Sequence, residues 1–210
     1  MEVMRCPRPV IATRSSLPSL IDGRNSTGIR ATGWVRADFG APVTLNRLTV
    51  EALTGRGDLS TLINTHDVQY FQRFKNIKLS KKEIREIGFP LSKGLVEREL
   101  TIAQGTIECT KYSIEHGISM NIAGGTHHAF YDRGEAFCML NDQAIAANYL
   151  IKKKLAERIM IIDLDVHQGN GTASIFKSNP KVFTISFHGK KNYPFRKEKS
   201  DVDIEFEDNT

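Results

Sequence analysis

No lysine occurs before Lys75, whereas residues 1–58 hold eight arginines. The same stretch shows no sustained helical or strand period before about Asn46 and carries Pro7, Pro9, Pro18 and Pro42. An arginine- and serine-rich leader poor in acids has the composition of an organelle transit peptide. Glu2, Asp22 and Asp38 interrupt it, however, and no amphipathic helix is evident. Residues 1–58 are therefore assigned as a leader, either disordered or transit-like, and the lack of an apolar h-region argues against a secretory signal. Cysteine is scarce: Cys6, Cys109 and Cys138 are odd in number and form no CxxC pair. This excludes a disulfide framework and a cysteine-rich structural zinc site, and argues for a reducing compartment. No run approaches the ~20 apolar residues of a membrane helix, so no membrane partner is expected. Basic residues are in excess, giving a formal charge of +5, but form no dense arm. In residues 190–199 they are broken up by Asn192, Tyr193, Pro194, Phe195 and Glu198. Direct nucleic-acid binding is accordingly not expected.

What is present is the composition of a globular chain, 40% hydrophobic and 25% charged, and 210 residues suffice for one domain with a core. From about residue 60 the pattern is regular. Residues 66–75 read as a helix. Ser80 and Glu83 form a capping box for a short helix that stops at Gly88, Phe89 and Pro90. Residues 94–116 read as a longer helix, with Ala103, Ile107, Thr110 and Ile114 on one buried face and Gly117 as its C-terminal cap. Residues 118–123 read as a short strand ending in Gly124 and Gly125. Residues 139–153 read as a helix closed by three lysines. Residues 158–165 (RIMIIDLD) are apolar without alternation, which suggests a central parallel strand covered on both faces. A helix follows at 172–177 and a strand at 182–187. Strands alternating with helices predict an α/β fold with an open, mainly parallel sheet in three layers.

The segment IIDLDVHQGNG, residues 161–171, places Asp163, Asp165 and His167 at alternate positions, so their side chains share one side of an extended strand. They lie at the strand's carboxyl end, where open α/β sheets bind ligands. Single polar residues there usually make caps and turns; two carboxylates and an imidazole together point to a divalent metal. Mixed N and O donors without thiolate suit zinc or iron(II) in an open catalytic site. In GGTHHAF, residues 124–130, adjacent His127 and His128 follow a glycine turn and read either as acid–base groups or as a surface pair. In DRGEAFCMLND, residues 132–142, Arg133, Glu135, Asn141 and Asp142 surround Phe137 and Cys138. Phe137 reads as a channel wall or a core aromatic. Cys138, within an apolar run, reads as a buried thiol rather than a nucleophile.

These two motifs, GGTHHAFYDRGEAFCMLND and IIDLDVHQGNG, resemble the active-site signature of the histone deacetylase superfamily, with its arginase/deacetylase fold. FHGKKNYPFRKEKSDVDI, residues 187–204, resembles the class IV branch and its bacterial relatives. The resemblance covers residues 59–210, which it marks as a partial histone deacetylase domain. It implies zinc-dependent hydrolysis of N-acetyl or longer acyl lysine amides on histones or other proteins. Asp165 and His167 would be two of three zinc ligands. His127 and His128 would handle the proton and the attacking water, with Asp163 behind the first. Asn170 stands behind the second, where many relatives carry Asp, and being uncharged it should leave His128 less basic. Phe137 would wall the acyl-lysine tunnel, and Ala136, where the family usually has Gly, would narrow it. Asp163, Asp165, His167, Ser186 and Phe187 match positions around a structural potassium ion. The family's third zinc ligand, an Asp, and its oxyanion-stabilising tyrosine are expected beyond Thr210, so the chain is expected to be a C-terminally truncated fragment or short isoform. Two alternatives remain at this stage: an inactive partial domain acting as a binding partner, and an acetylpolyamine-type amidohydrolase. The resemblance points to nucleus or cytoplasm, and the arginine-rich leader leaves an organelle open.

Overall fold

A computed structural model describes residues 10–13 and 64–208, all within one unit formed by Met1–Ser16 and Leu53–Thr210. Apart from residues 10–13, the leader assigned to residues 1–58 lies outside the described residues. Four strands, β1 (Val10–Thr13), β2 (Ile159–Asp163), β3 (Val182–Gly189) and β4 (Val202–Phe206), pair in that order, each parallel to the next. The helices are α1 (Val68–Lys75), α2 (Lys81–Ile87), α3 (Lys93–His116), α4 (Asp142–Lys152) and α5 (Asn170–Phe176). This is the open, mainly parallel α/β arrangement expected.

The helices begin where their caps dictate. Asp67 accepts from Tyr70 N, Ser80 and Glu83 close the capping box, and Ser92 accepts from Leu95 N. The Asn141 side chain accepts from Ala144 N, so α4 starts at Asp142 and not at residue 139. Every residue from Asp142 to Ala147 is buried, because α4 lies between two apolar clusters. Ile145 and Ala146 join Tyr70, Phe71, Phe74, Ile87, Val96, Ala103, Ile107 and Met139. Ala144, Ala147 and Leu150 pack with Phe176 onto Ile159, Ile161 and Val182 of the sheet. At roughly 25 cal/mol per Å² of apolar surface, this central helix contributes most where both of its faces are covered.

Beyond such shifts of helix ends, other expectations differ from the structure. Ile114 of α3 is exposed, while Ala103, Ile107 and Thr110 are buried; at 100° per residue Ile114 stays within ~20° of the Ala103 stripe, but the buried part of that stripe ends at Thr110 and the last turn of the helix is not covered by the described residues. Residues 118–123 form no strand: Ile118, Met120 and Ile122 face solvent, and the segment is tied down by Asn121, whose amide donates to Thr106 Oγ1 (2.8 Å) and Ile102 O (3.2 Å). The run in β2 is not covered on both faces, since Met160 and its neighbour across the pair, Phe183, are exposed while Ile159 and Ile161 are buried. Strands β1 and β4 were not foreseen. The first has four residues, too few for a period to show, and the second alternates charge with Val202, Ile204 and Phe206 and is exposed throughout.

Candidate active site

Three helices hold the loop that carries the tandem histidines. At the start of α4, Asp142 Oδ1 accepts from Thr126 N (2.9 Å) and Thr126 Oγ1 (2.7 Å), while its Oδ2 accepts from Thr106 Oγ1 of α3 (2.7 Å). Asn141 donates to Ala129 O (3.2 Å) and Thr172 Oγ1 of α5 (3.0 Å). Ahead of α1, His66 Nε2 accepts from Asn141 N (3.0 Å), so its proton sits on Nδ1 and is donated to Phe130 O (2.8 Å). Burial lowers the His66 pKa to about 4. On the far side, Thr172 N donates to His127 O (3.1 Å). That approach leaves no room for a side chain at Gly171, where a Cβ would sit 2.3 Å from Ala129 O.

The loop thereby sets His127 and His128 against the carboxyl end of β2, with ring centroids 4.0 Å apart. Asp163, the last residue of β2, accepts from His127 Nδ1 through Oδ2 (2.5 Å) and from Asp165 N through Oδ1 (3.0 Å). Burial alone would make His127 less basic; the hydrogen bond and charge of Asp163 outweigh it, and the net shift is upward. Beyond the strand the alternation persists: Asp163 and Asp165 are buried while Leu164 and Val166 are exposed. Asp165 Oδ1 accepts from His167 N (2.8 Å) and lies 3.0 Å from His167 Nδ1 and 3.9 Å from His127 Nε2. Asp165 and His167 therefore bring one carboxylate oxygen and one imidazole nitrogen together, a separation close to that of two ligand atoms on one small cation bound at ~2.0–2.2 Å. Among the described residues no group of three His, Cys, Asp or Glu side chains is placed to hold a metal, so these residues fit two positions of such a site.

His128 is held differently. Its Nδ1 meets Asn170 Oδ1 (2.7 Å), and the Asn170 amide nitrogen donates to Glu135 Oε1 (3.2 Å). Burial first, then the neighbouring His127, lowers the His128 pKa to about 4, with the Asn170 hydrogen bond opposing. Uncharged Asn170 is thus not the main cause of the weak basicity. Tyr193 stands edge-on to His128 at 5.0 Å and to His167 at 6.2 Å, and its hydroxyl donates to Glu135 Oε1. Burial and that bond raise the phenol well above its usual range.

The remaining expected residues fall around this centre. Glu135 and Cys138 exchange backbone hydrogen bonds of 2.9 Å across a tight turn whose central residues, Ala136 and Phe137, have φ of 44° and 67°. The turn is clamped to the end of α2 by Ala136 N to Glu86 O (3.0 Å) and Phe137 N to Ile87 O (2.6 Å). The physical consequence of Ala at 136 is therefore a backbone one, a left-handed conformation that favours Gly, and not only an added methyl. Phe137 is neither core nor enclosed: it is 59% exposed and leans on Phe89, 5.0 Å away. Cys138 is buried, which pushes its thiol far above the usual range and leaves it inert. Ser186 is buried opposite Asp163 in the β2–β3 register, its Oγ bonded to His188 Nδ1 (3.0 Å), while Phe187 stacks on Phe206. Tyr193 and His66 escaped the sequence reading: neither belongs to a periodic pattern, and each acts through partners more than 50 positions away.

The sequence model of the histone deacetylase domain matches residues 45–208. The chain is 47% identical over 147 residues to an uncharacterized protein of Picosynechococcus sp., covering 70% of this chain and 49% of that protein. It is 33% identical over 145 residues to the acetoin utilization protein AcuC of Bacillus subtilis (64% and 37% covered) and 36% identical over 91 residues to histone deacetylase 2 of Arabidopsis thaliana (43% and 24% covered). Its fold is similar to the crystal structure of an HDAC homolog from Aquifex aeolicus, with a TM-score of 0.62, 24% identity, and 73% of this chain and 47% of that one covered. The chain spans about half or less of the length of these relatives.

Proposed function

Since the chain belongs to the histone deacetylase family, we propose that its site serves zinc-dependent hydrolysis of N-acyl-lysine amides on histones or other proteins. The observation that carries this reading is the pairing of each tandem histidine with its own partner, His127 with Asp163 at 2.5 Å and His128 with Asn170 at 2.7 Å, beside the converging Asp165 and His167. Asp165 Oδ1 and His167 Nδ1 would hold the zinc ion, which when bound supplies Lewis-acid polarisation of an acyl carbonyl. The chain's own groups divide the proton work. His128, neutral with Nδ1 occupied by Asn170, keeps the Nε2 lone pair to take the proton of the attacking water and return one to the leaving amine. His127, held by Asp163 and raised in basicity, supports positive charge beside the reacting carbonyl. Ser186 and Phe187, next to Asp163 in the sheet, would complete a structural potassium site with Asp163, Asp165 and His167.

Zinc content and turnover of an acetyl-lysine peptide test the proposal. Zinc binding and hydrolysis by the purified chain should both be lost in His167→Ala and Asp165→Asn, by more than the ~10–100-fold that losing an outer partner of a metal site costs. Absence of zinc and of turnover in the unaltered chain would overturn it, and would favour the reading as an inactive partial domain that acts by binding.

A further inference from the structure

The geometry points to Glu135 as a positioning residue for His128, acting through the side-chain amide of Asn170. The inference rests on the assignment of His128 to proton transfer, and it adds a carboxylate to that assignment. Asn170 cannot charge-stabilise an imidazole by itself. Yet its amide is oriented: Oδ1 faces His128 Nδ1 (2.7 Å) and Gly171 N (3.0 Å), and the nitrogen faces Glu135 Oε1 (3.2 Å). An oxygen toward His128 requires a proton on Nδ1, which fixes the tautomer and leaves Nε2 free. Reversing the amide would set its nitrogen against both Gly171 N and the imidazole N–H, and its oxygen against a carboxylate. Glu135 is itself held in place. Tyr193 donates to the same Oε1, Arg133 Nε lies 3.6 Å from Oε2, and the residue sits in the tight turn with Cys138. His128, Asn170 and Glu135 thus form a chain in which the negative charge stands one residue behind the imidazole's direct partner, and the bonds of such a chain polarise one another.

Thermal stability and imidazole NMR of the full chain test this without turnover. Glu135→Gln should lower the melting temperature of the native chain, because a neutral acceptor replaces a charged one. In an Asn170→Asp background the same change should raise it, because it replaces a carboxylate facing Asp by an amide that can donate. Equal shifts in the two backgrounds would overturn the inference, as a merely structural Glu135 predicts no change of sign. In long-range ¹H–¹⁵N spectra His128 should be the Nδ1–H tautomer. Glu135→Leu should reduce its excess over the Nε2–H form roughly five- to tenfold, about one net hydrogen bond. A folded Leu variant with unaltered His128 resonances would also overturn the inference. Loss of zinc and turnover in the unaltered chain, with the sign reversal and tautomer shift intact, would remove the proposed reaction and leave this role of Glu135 standing.

Discussion

His66 gives the sharpest stability prediction. Both of its ring nitrogens are bound to backbone groups, one as donor to Phe130 O and one as acceptor from Asn141 N, so the folded protein has no place for a second imidazole proton. Burial lowers its pKa from 6.5 to about 4. The unfolded chain, with the higher pKa, takes up the proton first as pH falls. The His66 contribution is therefore fully present above pH 6.5 and is lost on acidification until the folded pKa is reached. At 1.36 kcal/mol per pKa unit, about 2 kcal/mol of stability is lost by pH 5 and about 3 kcal/mol by pH 4. His66→Gln keeps a donor and an acceptor and cannot titrate. Urea unfolding of both proteins at pH 7.5 and pH 5 isolates the effect, because the other titrating groups are shared. The variant should be less stable at pH 7.5, through poorer fit, and should close or reverse the gap at pH 5. A gap that stays constant would refute the neutral, doubly bonded histidine.

Two further outcomes follow from the loop and turn geometry. Ala136→Gly should raise stability by roughly 1 kcal/mol, measured by denaturant midpoint, since it relieves a left-handed alanine at φ 44°; a loss of stability would place the strain elsewhere. Asp142→Ala should destabilise by about 2–4 kcal/mol, because it strips acceptors from Thr106 and from both donors of Thr126 in a buried setting. Amide exchange should rise first in residues 124–130, and uniform exchange across the chain would argue against its role as the anchor of that loop.

Much of the centre was legible in the sequence because its signals are local. Alternation placed Asp163, Asp165 and His167 on one side of a strand end, and the capping motif at Ser80 and Glu83 marked the start of α2 correctly. Adjacent histidines after Gly124 and Gly125 announced a loop, and the order of helices and strands announced the parallel sheet. The failures were of another kind. Residues 118–123 alternate like a strand, yet Asn121 bonds back to α3 and the apolar side chains face water. A pattern of period two records which side chains could share a face, not whether any surface is there to receive them.

The sequence by itself therefore determined the family, the α/β order and the residues that converge at the end of β2, because motif spacing and backbone period are properties of neighbours along the chain. The resemblance had already paired His127 with Asp163 and His128 with Asn170; only the tertiary structure decided what stands behind and around those pairs. Asn170 reaches Glu135, which also holds Tyr193, and His66 ties α4's cap to the histidine loop. Those contacts join positions tens of residues apart, and they exist because α4, buried on both faces, and the β2–β3 register leave each polar group one set of partners it can reach.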